Sequence, residues 1–120
     1  MNTLQGAVKA LLDEVGVAVS YRYPAGWSSF PCMAWYESNN REYAQADGAE
    51  YLTELTYVVD VWAESPAEAA EIAARADEKL ASARFKRTFS QDLYEPKSHL
   101  HHRTMRYRAV TDAAGNVYQG

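Results

Sequence analysis

Two amphipathic helices set among strands of period two predict an α+β fold. The expected form is a two-layer sandwich, in which a mostly antiparallel sheet of four to five strands carries two helices on one face in the order α-β-β-β-α-β-β. Three observations lead there. Residues 51–63 alternate so that Tyr51, Leu55, Tyr57, Val59 and Val61 share one face, while Leu52, Glu54, Thr56, Val58, Asp60 and Trp62 share the other. Ser65-Pro66-Ala67-Glu68 combines an N-cap serine, a proline at the first helical position and a glutamate three residues after the cap. A length of 120 residues gives room for one core but not for two, so a single domain over residues 1–120 is expected.

Each element follows from local pattern. Asn2 or Thr3 can cap a first helix whose Leu4, Val8, Leu11, Leu12 and Val15 recur at helical spacing, and Gly16 offers a left-handed stop. In residues 17–23, Val17, Val19, Tyr21 and Tyr23 alternate with Ala18, Ser20 and Arg22, a half-buried strand that Pro24 and Gly26 end. An aromatic loop with Trp27 and Phe30 leads to a second strand over residues 32–38. Residues 39–50 have turn formers at both ends and no apolar period, which predicts a long hairpin loop, a length more often functional than filler. The strand 51–63 follows, with its Tyr51-to-Val61 face as core. The second helix buries Ala69, Ile72, Ala73, Ala76, Leu80 and Ala83, and opposes them with Glu68, Glu71, Arg75 and Glu78. Residues 85–92 and 101–110 read as strands joined by the turn-rich 94–100, and a turn at 112–116 precedes a short Val117-Tyr118 piece. No repeat or low-complexity tract is visible.

Composition narrows the functional classes. Hydrophobic residues make up 48% and charged residues 23%, as in an ordinary globular domain. No apolar run exceeds Cys32 to Tyr36, far short of a membrane span, and Met1 leads into a helix rather than a basic start and apolar core, so a soluble, unexported protein is expected. One cysteine, Cys32, excludes an internal disulfide, a thiolate zinc cluster and a CxxC pair. The formal charge of −4 argues against sequence-specific nucleic-acid binding. It is unevenly spread: residues 1–83 carry five basic against thirteen acidic side chains, and residues 84–108 seven against two. Such a split can create surfaces of opposite potential between copies, or be cancelled within the fold.

Enzyme-like motifs are few. His99, His101 and His102 are the strongest, since imidazoles at i and i+2 on a strand share a face; Asp92 or Glu95 could add a third ligand only by folding back, and surface or interface histidines are the plainer reading. Cys32 opens an apolar strand with no neighbouring base, which suits a core thiol. Ser28-Ser29 has no nucleophile-elbow context, and phosphate loops and HExxH are absent, so neither catalysis nor a cofactor or metal is expected.

Association surfaces are better supplied. Arg106 and Arg108 share one strand face and Arg103 lies on the other; they could grip phosphate, but pairing with Glu54 or Asp60, within the chain or across a subunit boundary, is the more economical reading. Two helices on one sheet face leave the other uncovered, and fifteen aromatics exceed what one core needs, so self-association is expected. The candidate interface residues are therefore Glu54, Asp60, Trp62, Arg103, Arg106 and Arg108. The two predicted loops add Asn40, Arg41, Glu42, Tyr43, Asp47, Lys97 and His99 as partner contacts.

The segments FPCMAWYESNN (30–40), TYVVDVWAESPAEAAEIAARADEKL (56–80) and LYEPKSHLHHRTMRYRAV (93–110), in this order, resemble the tail terminator, or tail completion, proteins of long-tailed bacteriophages. The resemblance implies a two-layer α+β subunit in a hexameric ring on the head-proximal end of the tail tube. Such a ring stops tube growth and presents the docking surface for the head–tail connector. It also implies assembly in the host cytoplasm, residence in the virion tail, and DNA passing through a bore best kept electronegative. A neck or head-completion protein is the structural rival; a small metal-dependent enzyme or ligand-binding domain using the three histidines is the rival of another class.

Overall fold

The computed structural model describes residues 1–24 and 29–118; Gly26, Trp27 and Ser28 lie outside the described residues. Helix α1 (Gln5–Asp13) is followed by β1 (Ala18–Tyr21), β2 (Cys32–Ala46), β3 (Ala49–Ala63), α2 (Pro66–Ser82), β4 (Lys86–Glu95), β5 (Leu100–Thr111) and β6 (Val117–Tyr118). The strands make one sheet ordered β1-β2-β3-β5-β4, with β6 pairing the far end of β5. Only β1 and β2 run parallel. The α+β class and element order are those the sequence predicts; the terminal β6 brings the sheet to six strands.

The main departure falls at residues 39–50. Instead of a long loop, β2 and β3 each continue for 15 residues and meet at Asp47-Gly48, whose φ angles of 53° and 77° suit a two-residue hairpin turn. Apolar alternation is missing there because the far half of the hairpin is exposed on both faces. Register shifts between Glu37 and Asn39 and between Glu42 and Ala44 also put β2 out of period. The hairpin forms an arm that stretches the molecule to 53 Å along one axis, against 23 and 21 Å across. Tyr51, assigned to the core face, stands on this arm and is exposed. The strand 85–92 likewise runs on to Glu95, leaving a shorter turn than residues 94–100 suggest.

Both helices bury their stripes on one sheet face: Val8 and Leu12 of α1 and Ile72, Ala76 and Leu80 of α2 close over Leu55, Tyr57, Val59 and Val61 of β3 and over Met105 and Tyr107 of β5. The Ser65 cap is as read, its hydroxyl accepting the Glu68 N–H at 3.2 Å. The first helix is capped differently. It begins at Gln5, while Asn2 donates to the Thr53 hydroxyl at 3.0 Å and Thr3 to Glu37 at 2.7 Å. The Tyr57 hydroxyl accepts the Leu4 N–H at 2.9 Å and donates to Glu37 Oε1 at 2.8 Å, so a buried phenol fixes the helix entrance to the sheet. Tyr107 does the same for α2 by donating to Asp77 at 2.7 Å. Burial pushes both phenols well above their ordinary value.

The second face of β3 has no helix over it among the described residues, yet Glu54, Val58, Asp60 and Trp62 are buried. Adjacent strands supply the cover. Glu54 takes Arg41 Nε of β2 at 2.7 Å and Arg108 of β5 through Nη2 at 2.6 Å and Nε at 2.8 Å. Burial alone would raise the Glu54 carboxyl; the guanidiniums of Arg108 and Arg41 outweigh it and hold the group below its ordinary value. His102 Nε2 lies 2.8 Å from Asp60 Oδ1, and its ring stacks on Trp62 at 4.5 Å, with the Trp62 indole N–H directed at Glu95 at 3.4 Å. The arginine strand, which the sequence reading pairs with these acids either within the chain or across a subunit boundary, is the next strand of the same sheet.

Two measurements check these ties. Tyr57→Phe leaves the Leu4 N–H and Glu37 without their shared partner, and is expected to cost about 1–2 kcal/mol, seen as a lower urea midpoint at unchanged slope. Because Glu54 is held low in the folded state, its contribution is complete above the unfolded value near 4.5 and is lost as pH falls through the folded value. The parent should therefore lose stability below about pH 4.5 more steeply than Glu54→Gln, which forfeits about 1–2 kcal/mol at neutral pH. Identical acid limbs for the two proteins would refute the assignment.

Candidate subunit interface

With Glu54, Asp60 and Trp62 tied inward, the exposed groups on the uncovered face include Arg41 and Tyr43 of β2 and side chains of β4 and β5. Arg106 is exposed, its guanidinium 4.9 Å from the Phe89 ring on the neighbouring strand. Lys86 sits opposite Arg108 in the register, and Leu93 opposite His102. Arg108 is half-buried between Glu54 and the Tyr43 ring, 5.7 Å away, so it ties the arm to the sheet. Arg103 projects to the helix-bearing face, where Nη1 donates to Ser90 at 3.3 Å beside Ala70 and Ala73 of α2, and its Nε is buried with no hydrogen-bond partner. Among the described residues, Lys86, Arg103 and Arg106 form no ion pair. The three candidate arginines thus separate into an internal tie, a helix-side group and one open cation.

β4 ends the sheet, and nine of its ten residues are exposed, all but Glu95. Phe89, Leu93 and Tyr94 are large apolar side chains left in solvent there. The sequence reading has a strand over residues 85–92 but singles out none of these side chains as contacts, because spacing along the chain does not say which strand ends the sheet. A run of outward N–H and C=O groups on such an edge is a template for pairing.

The partner-contact candidates divide between the arm and the β4–β5 turn. Asn40 and Arg41 face inward, to the Asn2 carbonyl at 2.8 Å and to Glu54. Glu42 accepts from Gln45 at 2.8 Å, Tyr43 is half-exposed, and Asp47 occupies the turn. Near the tip Glu50 is held low, first by the Thr53 hydroxyl and further by the N-terminal ammonium 3.4 Å away. At the other end of the molecule, Lys97 is exposed in the turn and His99, at φ 58°, places Nδ1 3.1 Å from the Tyr94 hydroxyl. His101 packs on the same Tyr94 ring at 5.0 Å, while His102 turns to Asp60. The three imidazoles thus serve two different neighbourhoods, and among the described residues no group of three or more His, Cys, Asp or Glu is placed to hold a metal. Cys32 is buried, which raises its thiol. A cleft of about 680 Å³ beside the turn is lined by Phe30, Glu64, Glu95, Ser98, His99 and Leu100.

No curated protein matches the chain. Among solved structures, a chain from the "virion of native gene transfer agent (GTA) particle" superposes with a TM-score of 0.74 at 19% identity, covering 91% of this chain and 94% of that one, a likeness of fold. The family described as tail completion protein gp17 matches residues 3–112, a span that takes in every element from α1 to β5. The chain therefore belongs to the tail completion protein gp17 family and is a structural protein of the viral tail.

Proposed function

We propose that the protein acts as a tail terminator: copies form a closed ring on the head-proximal end of the tail tube, halt its polymerisation and offer the head–tail connector a docking surface. Family membership supplies the setting, and one observation carries the ring. Each subunit exposes two unlike surfaces, an acidic arm at one end and the bare, cation-flanked edge of β4. Unlike surfaces make head-to-tail contacts, which either close into a ring or propagate as a fibre. Six copies is the family expectation. The Asp47 turn and the Lys97–His99 turn lie on separate hairpins, so one can reach the tube protein while the other reaches the connector. Exposed carboxylates along α2, such as Glu71 and Glu78, supply charge that would keep phosphates off a bore they faced.

Purified protein added to polymerising tube protein should yield tubes of arrested length with a ring at one end in negative-stain images; tubes that lengthen unchecked would sink the terminator reading. The arginine strand separates assembly from folding. Arg106→Glu should lower the oligomer mass in light scattering at an unchanged urea midpoint, whereas Arg108→Glu, which sets two carboxylates together at Glu54, should cost about 2 kcal/mol of unfolding free energy and so lower the midpoint itself. A parental mass for Arg106→Glu would remove that side chain from the interface.

A further inference from the structure

We propose that the outer edge of β4 is a docking strand for the β2–β3 arm of a second copy of this chain, each subunit giving its arm to one neighbour and its β4 edge to the other. The inference rests on the ring reading and adds which surfaces meet. The first support is a match of free edges. Among the described residues no strand pairs the outer side of β4 along its ten residues, and β1 covers β2 only from Cys32 to Trp35, which leaves the outer side of β2 from Tyr36 to Ala46 without a strand. Two edges of nearly equal length can share one ladder, as in strand addition between chains.

Charge supplies the second support and fixes the pairing. Residues 42–52 of the arm hold Glu42, Asp47 and Glu50, of which Glu50 meets the N-terminal ammonium, and no Lys or Arg, while Arg41 just before them is engaged by Glu54. The β4–β5 end presents Lys86 and Arg106, which form no ion pair among the described residues. Arm against arm would set like charges together, which disfavours that two-fold arrangement, whereas Lys86 and Arg106 suit the acidic arm. Half-exposed aromatics stand on both sides, Tyr43 on the arm and Phe89 on β4, and these are the residue types that fill the dry centre of protein interfaces. A strand from the tube or connector is the competing occupant.

A charge exchange tests it. One variant carries Lys86→Glu with Arg106→Glu, the other Glu42→Lys with Asp47→Lys; neither removes a member of the Glu54 or His102 ties, and equal urea midpoints verify that these ties and the fold are kept. Each alone should weaken association at least about tenfold in light scattering. An equal mixture should regain the parental mass, because each acidic arm then finds a basic edge and each basic arm an acidic one. Parental mass in both single preparations, with tube capping intact, overturns the docking assignment and leaves the ring. Failure of the mixture to recover also overturns it. Rings of parental mass that no longer cap tubes give the β4 edge to a tube strand instead, and a parent that stays monomeric at high concentration overturns both readings.

Discussion

β3 is buried on both faces although helices cover only one of them, and most of the molecule is arranged around that constraint. On the helix side the solution is ordinary: branched and aromatic side chains meet alanine-rich and leucine-bearing stripes, and two tyrosine hydroxyls fasten the helices to the strands beneath. On the other side the cover comes from within the sheet. Arg41 and Arg108 lie along Glu54, and His102 lies flat on Trp62 while reaching Asp60. Long side chains with apolar stems and charged heads can roof a strand in this way without a second layer.

That roof changes what the sheet can offer to others. Glu54 is engaged by two guanidiniums and Asp60 by the His102 imidazole, so the acids in the middle of β3 act as ties within the sheet. What remains accessible lies at the periphery, where the sheet runs out: the outer strand β4 and the part of the β2–β3 hairpin that passes beyond β1. The molecule is consequently polar in plan, an acidic arm at one extremity and cations beside a bare edge, although its net charge is only −4. The difference in sign between residues 1–83 and 84–108 is partly neutralised where β3 and β5 adjoin and survives only where each strand leaves its partner.

How much of this was legible depends on where each residue stands relative to the core. β3 and α2 were readable because burial enforces period: Leu55, Tyr57, Val59 and Val61 alternate, and Ala69, Ile72, Ala73, Ala76 and Leu80 recur at helical spacing, with Ser65 and Pro66 marking the start. The arm was not readable as strand, since neither face is buried and three register shifts break the alternation, so its turn formers read as a long loop rather than a two-residue turn at Asp47-Gly48. β4 was legible as a strand over residues 85–92, but not as the edge of the sheet, so Lys86, Phe89 and Leu93 were not singled out as contacts. The sequence named Glu54, Arg106 and Arg108 together; the structure ties Arg108 to Glu54 and sets Arg106 on Phe89, and one-dimensional spacing cannot say whether an arginine strand is the next strand of the same sheet or that of another copy. The entrance of α1 failed for a related reason: the Tyr57 hydroxyl that receives the Leu4 N–H is far away in sequence, and Asn2 and Thr3, good caps by type, had better partners in Thr53 and Glu37.

Long free edges are ordinarily a hazard, because any exposed strand can add to them and the product need not stop. β4 carries Lys86, Arg87 and Asp92 along its length, charges that disfavour indiscriminate stacking while leaving a ladder open to a strand of suitable charge. A ring removes the hazard at its source, since closure leaves neither edge bare. Under the reading proposed for this subunit, the edges that would drive open-ended growth in a monomer are used up when the circle closes. A particle that must halt the growth of a tube can then be built only from subunits whose own growth halts, which makes closure of the edges a condition of the terminating role.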